Sequence, residues 1–142
     1  MASSLSMAQY GNPLSSTTAS TTVVQLNDSG VQAPQKTVGE IVKDYFKDDP
    51  IMAKVAWCES RNRQWNKDGS IFRGKVNPSD VGVMQINTYY HEKKAKEMGI
   101  DLMTLEGNLK YGKYLYEKEG TTPWNSSSPC WANGDTNQVA VN

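Results

Sequence analysis

Residues 57–65 read WCESRNRQW and set one carboxylate, Glu59, among a cysteine, a serine and two tryptophans. A glutamate side chain in water has a pKa of about 4.3 and keeps no proton at neutrality. Apolar neighbours disfavour the charged form, so a carboxyl placed among them retains its proton for delivery to a poor leaving group. Trp57, Trp65 and Met84 are the expected apolar wall. The bland alternative is a helix-end acid neutralised by Arg61 or Arg63. A second acid follows in SDVGVMQIN, residues 79–87, where Asp80 precedes an apolar, glycine-containing segment that closes on Gln85 and Asn87. Asp80 is either a second reacting carboxylate, stabilising the positive centre that bond cleavage creates, or a turn cap. Gln85 and Asn87 either contact a ligand or satisfy backbone groups in a buried turn.

These residues need elements to hold them, and the compact region begins at Thr37. TVGE fits a capping box, Thr37 capping and Glu40 reaching back. Val38, Ile41, Val42, Tyr45 and Phe46 then recur at helical spacing. A second helix starts at DDP, with Asp49 as cap and Pro50 in the first turn. Its apolar side is Ile51, Met52, Val55, Ala56 and Cys58, and Glu59 borders that face. NKDGS at 66–70 reads as a turn, and IFRGKV after it as a short strand or hairpin. The Asn66, Asp68, Ser70 spacing faintly resembles a calcium loop, but its twelfth position is Asn77 and not a bidentate Glu. NTYYHEKKAKEMG predicts a third helix stopped by Gly99, with His91 exposed and the EKKAKE charges solvated. A fourth helix is expected from Asp101 to about Glu119, with Gly112 on its buried stripe letting another helix approach. The following TTPWNSSSPCW is turn-rich, and Trp124 and Trp131 are expected mainly as core.

Fifteen Lys plus Arg balance fifteen Asp plus Glu, which removes the electrostatic case for nucleic acid or an anionic membrane. No apolar run approaches the roughly 20 residues of a membrane span, and no signal peptide is visible. Residues 1–36 hold eleven Ser and Thr against one acid and one base. They read as a low-complexity arm or linker whose TTVVQL patch offers a strand to a docking partner. The compact domain is expected at 37–131, and 132–142 as a polar tail. Cys58 and Cys130 do not resemble a zinc site; they form a disulfide or remain two buried thiols. A bridge would imply an oxidising compartment.

The ES pair on a helix, then GVMQIN, then NLKYGKYL at 108–115 together resemble the lysozyme-like superfamily. Their order and spacing are nearest the soluble lytic transglycosylase type of peptidoglycan-cleaving domain, over about residues 40–131. The resemblance implies an α+β, mostly α, lysozyme-like fold with a small β-hairpin. It implies Glu59 as catalytic acid/base, Gly82–Asn87 as the floor of a sugar cleft, and the Asn108–Leu115 helix beneath it. Substrate-binding residues by that likeness are Ser60, Met84, Gln85 and Asn87. The family's terminal Ala-Tyr-Asn motif is replaced here by PWNSSSPCW, leaving Trp124 or Tyr111 for the tyrosine's place. DVGVMQIN also fits, residue for residue, the Asp-x-Gly-x-x-Gln-Ile-Asn segment of animal c-type lysozymes, whose aspartate is the second catalytic carboxylate. Asp80 therefore keeps open a hydrolytic lysozyme. The implied activity is cleavage of the β-1,4 MurNAc–GlcNAc bond of peptidoglycan strands without metal or cofactor, outside the cytoplasm or in a virion. A third expectation retains the fold as a non-catalytic glycan-binding or structural part of a virion or secretion apparatus.

Overall fold

The structure, a computed structural model, describes residues 34–133. Residues 1–33, with the TTVVQL patch, and 134–142 lie outside the described residues. The fold is mostly helical with one small sheet. Helix α1 spans Val38–Tyr45, α2 Pro50–Ser60, α3 Thr88–Glu97, α4 Leu105–Glu119 and α5 Ser128–Trp131. Strand β1 is Asp80–Val81, β2 is Ile86–Asn87, and a 3-10 helix spans Thr122–Ser127.

The capping box of α1 is formed: Thr37 Oγ1 accepts from the Glu40 amide and the Glu40 carboxylate accepts from the Thr37 amide. Its inner face delivers Val42 and Phe46 to the core against α2. Pro50 opens α2 as expected, whereas Asp49 occupies the cap position without a side-chain cap bond. The end of α2 is sharp, because Arg61 and Asn62 both take left-handed backbone angles, φ 57° and 56°.

Segment 66–70 is a turn closed by its own side chains. Asp68 Oδ1 accepts from the Ser70 amide and hydroxyl, and Asn66 Nδ2 donates to Ser70 Oγ. The IFRGKV segment is not a hairpin. It contributes two isolated bridges, Trp65 with Ile71 and Arg73 with Val81. The ordered pairing lies inside SDVGVMQIN itself, where β1 and β2 run antiparallel with Asp80 opposite Asn87 and Val81 opposite Ile86.

Helix α4 begins later than its sequence pattern indicates. Asp101 closes a turn on the Met103 amide, and Thr104 caps the helix by accepting from the Gly107 amide. On its buried stripe Gly112 faces the Met84 side chain, not another helix; a Cβ there would lie 2.9 Å from Met84 Cγ. The turn-rich C-terminal stretch winds into the 3-10 helix and α5, and both pack on α2. The Cys58–Cys130 disulfide joins α2 to α5. The core is one cluster, including Phe46, Met52, Val55, Val81, Val83, Met84, Leu109, Tyr111, Leu115 and Trp124. Among the described residues no helix is long and apolar enough to cross a membrane.

Candidate active site

The turn between β1 and β2 is the platform of the site, and its backbone is buried. Amides and carbonyls sealed from water need partners, and a two-residue strand supplies few. Four side chains from other elements fill the deficit. Gln64 Oε1 accepts from the Val83 amide at 2.8 Å, and its Nε2 donates to the Met103 carbonyl. Asn108 Oδ1 accepts from the Met84 amide at 2.8 Å while its Nδ2 donates to the Val81 and Leu102 carbonyls. Ser60 Oγ donates to Val83 O, and Trp124 Nε1 donates to Met84 O. Gly82, at φ +72°, fits because a Cβ would lie 2.4 Å from Asn108 Nδ2 and 2.6 Å from Gln64 Oε1. Gln85 takes a left-handed φ of 50° and is held there by its own Nε2 donating to Gly82 O. Such a conformation costs about 1 kcal/mol or more for a non-glycine residue and concentrates at functional sites.

Glu59 stands half-buried at the end of α2 above this platform. Burial holds its carboxyl above the usual carboxylate range; a hydrogen bond from Ser127 opposes the shift and the negative charge of Asp80 adds to it. Ser127 Oγ lies 2.5 Å from Glu59 Oε1, 3.0 Å from the Trp124 carbonyl and 3.1 Å from Trp131 Nε1, which donates to it. A hydroxyl has one proton and two lone pairs, so this geometry accommodates both states of the acid. An ionised Glu59 accepts from the Ser127 hydroxyl. A protonated Glu59 donates to Ser127 Oγ, whose own proton then turns to Trp124 O.

Asp80 Oδ1 accepts from Asn87 Nδ2 at 2.7 Å, across the strand pair, and Asn87 Oδ1 caps α3 at the Tyr90 amide. Two hollows meet at the acids. One, of about 360 Å³, has Ile86, Asn87, Tyr90, His91, Leu115, Glu119 and Trp124 in its wall. The other, of about 400 Å³, has Arg61, Arg63, Phe72, Gly74, Lys75 and Val76. Glu59, Asp80, Asn77, Gln85 and Ser126 line both. An open groove thus runs to either side of a carboxyl whose proton affinity burial raises.

Of the residues singled out from sequence, Glu59, Asp80, Gln85, Asn87 and Trp124 are brought together on the groove. Ser60, although only 2% exposed, borders the second hollow. Met84 and Tyr111 line neither hollow; at 0% and 1% exposure they lie beneath the groove as support. The apolar wall is also different from the one expected. Neither Trp57 nor Trp65 lines either hollow. Trp57 stacks under Arg61, and Trp65 is largely exposed and bridged to Ile71. Ile86, Leu115, Pro123 and Trp124 supply the apolar lining instead. Arg61 and Arg63 make no ion pair with Glu59; both lie over aromatic rings. His91, expected in solvent, is half-buried in the groove wall and hydrogen-bonds the Tyr111 hydroxyl at 3.2 Å. Burial pushes its pKa below the ordinary histidine value, partly offset by Glu119, so the ring is neutral at pH 7.

Sequence reading missed Gln64, Ser127 and the role of Asn108. Asn108 had a signal, a polar residue on the buried stripe between Leu105 and Leu109. Gln64 and Ser127 had none, since nothing local separates Ser127 from Ser126 and Ser128. Comparison with protein-family models finds no match for this chain, and neither do comparisons with curated proteins or with solved structures.

Proposed function

We propose that the chain is a peptidoglycan-cleaving lytic transglycosylase of lysozyme-like fold, with Glu59 as its general acid and base. The observation that carries this reading is Glu59 itself: a carboxyl whose proton affinity burial raises, where two open hollows meet. A polymer-cutting enzyme needs that layout, because chain must extend past the bond on each side. Glu59 delivers its proton to the glycosidic oxygen as the muramyl C1–O bond breaks, and the GlcNAc end leaves as an alcohol. The C1 centre becomes oxocarbenium-like. The ionised Glu59, now accepting from Ser127, takes the proton of the muramyl 6-hydroxyl as that oxygen bonds C1, giving a 1,6-anhydro end and restoring the acid. No metal or cofactor enters these steps. The disulfide supports a location outside the cytoplasm or in a virion.

One observation favours a second reading. Asp80 lines both hollows beside Glu59 and acts on it electrostatically. A two-carboxylate hydrolase would use it to stabilise the cation or to form a glycosyl-enzyme. Mass spectrometry of products from purified sacculi separates the readings. Anhydromuramyl ends that vanish in Glu59→Gln and persist in Asp80→Asn are expected. Reducing ends requiring both acids would make it a lysozyme, and no release by folded wild-type protein would remove the enzyme reading.

A further inference from the structure

The two arms of the groove differ in charge. Beyond the shared acids, the arm at α3 carries one carboxylate, Glu119. The other carries three cations, Arg61, Arg63 and Lys75, and no further acid. Among the described residues none of the three has an ion-pair partner. Three unpaired cations, outnumbering the two shared acids of the same hollow, favour an anion there.

Arg63 is built for that task. Its Nε donates to the Ser60 carbonyl at 2.9 Å, and its guanidinium carbon lies 4.1 Å from the Phe72 ring centre. One edge of the fork is therefore fixed, and its terminal N–H groups have no protein acceptor among the described residues. A guanidinium anchored at Nε and seated over a ring can pair with a carboxylate through its remaining nitrogens, with less entropy left to lose than a free side chain. The backbone contributes too: two consecutive left-handed residues, Arg61 and Asn62, hold the turn that sets Arg61 and Arg63 on this wall. Phe72 and the fully exposed Val76 add apolar surface between the cations.

We propose that this arm binds a carboxylate-bearing peptide attached to the glycan, with Arg63 as anchor and Arg61 and Lys75 as outer cations. The inference rests on the glycan-cleaving reading and adds to it a substrate preference, for peptide-substituted over bare strands.

The test uses the full chain carrying Glu59→Gln, so that binding is measured without turnover. Calorimetric titration compares soluble glycan fragments bearing stem peptides with the same fragments stripped by an amidase, both free of phosphodiester polymers. The peptide-bearing form is expected to bind about tenfold tighter, the scale of a few solvent-screened charged contacts. Adding Arg63→Gln or Lys75→Gln narrows that gap by about threefold each, with the affinity for bare glycan measured in the same variants so that the peptide's share is read as the difference. Raising the salt narrows it as well. Equal affinity for the two forms overturns the proposal, as does a gap that survives both cation substitutions. If neither form binds, the glycan reading fails and the proposal with it. If a free anionic peptide binds but bare glycan does not, the arm is a peptide site and the glycan reading alone is lost.

Discussion

Replacing both cysteines, Cys58→Ala with Cys130→Ala, removes a cross-link that closes 72 residues of chain. In the chain-entropy treatment, opening a loop of that length costs about 4 kcal/mol of stability at 25 °C. For a domain of about 100 residues, 1 kcal/mol moves Tm by roughly 4–8 °C, so a fall of about 20 °C is expected. Little packing confuses the result, because Cys130 is exposed and Cys58 only partly buried. The assay is thermal and urea unfolding followed by circular dichroism, with wild type in reductant as a control that changes no residue. The entropic origin has a second signature: the released unfolded chain expands, so the urea m-value rises as well. The bridge also lies beside the chemistry. Cys58 precedes Glu59, and Ser127 is three residues before Cys130, so the link fixes both halves of the acid's hydrogen bond. Activity is therefore expected to fall at temperatures well below the variant's melting point. A Tm loss under about 5 °C with an unchanged m-value would refute the reasoning, since the unfolded chain would then not feel the cross-link.

In the proposed mechanism Glu59 must be protonated, so activity on sacculi is expected to be lost as pH rises through the Glu59 pKa. Asp80→Asn removes a charge that raises this pKa and shifts the basic limb of the pH profile downward; Ser127→Ala removes a hydrogen bond that lowers it and shifts the limb upward. Carbon-13 NMR of the Glu59 carboxyl reads the same opposite displacements without turnover, and shifts of the same sign in both variants would contradict the electrostatic picture. Glu59→Gln is expected to stabilise the protein at neutral pH, within the ~0.5–2 kcal/mol that single stabilising changes commonly give. With its folded pKa raised, Glu59 makes the folded state hold the extra proton, so wild-type stability falls as pH climbs from the unfolded to the folded value. The gain over wild type should vanish below that window in acid unfolding curves. Gly82→Ala is expected to cost about 4 kcal/mol in urea unfolding, because it strains φ and displaces both buried amides that hold the floor. A loss near 1 kcal/mol would mean that Gln64 and Asn108 do not hold it jointly.

Much of the helical scaffold was legible in the sequence, because its signals are local. The Thr37 capping box, Pro50 at the start of α2 and Gly99 just past α3 each sit within a turn of the boundary they mark. Where two local signals compete, sequence does not choose. Asp101 and Thr104 both cap well, and the structure uses the first for a turn and the second for α4. The β element was displaced for a related reason. IFRGKV has the composition of a strand, yet the register is set by the Gly82 turn, whose buried backbone finds its partners on Gln64 and Asn108.

The carboxylates were legible as residues, but their surroundings were not. Two tryptophans near Glu59 in sequence suggested its apolar wall. On a helix, however, Trp57 two positions earlier projects to a different face. Burial is the largest influence on the acid's proton affinity, and the groups that adjust it come from 68 residues away at Ser127 and from the strand pair at Asp80. The order of the motifs pointed to Asp80, but nothing in spacing pointed to Ser127. That is the expected division for a site whose reagent sits at the end of one helix while its control sits on the segment stapled beside it. The same separation explains how the terminal Ala-Tyr-Asn pattern can be missing while the acid still has a hydroxyl partner. PWNSSSPCW wraps the Trp124 and Trp131 indoles around Ser127, and the serine presents to Glu59 one hydroxyl with both remaining partners in place. Under the proposed chemistry that one hydroxyl can stay bonded to Glu59 in both of its protonation states.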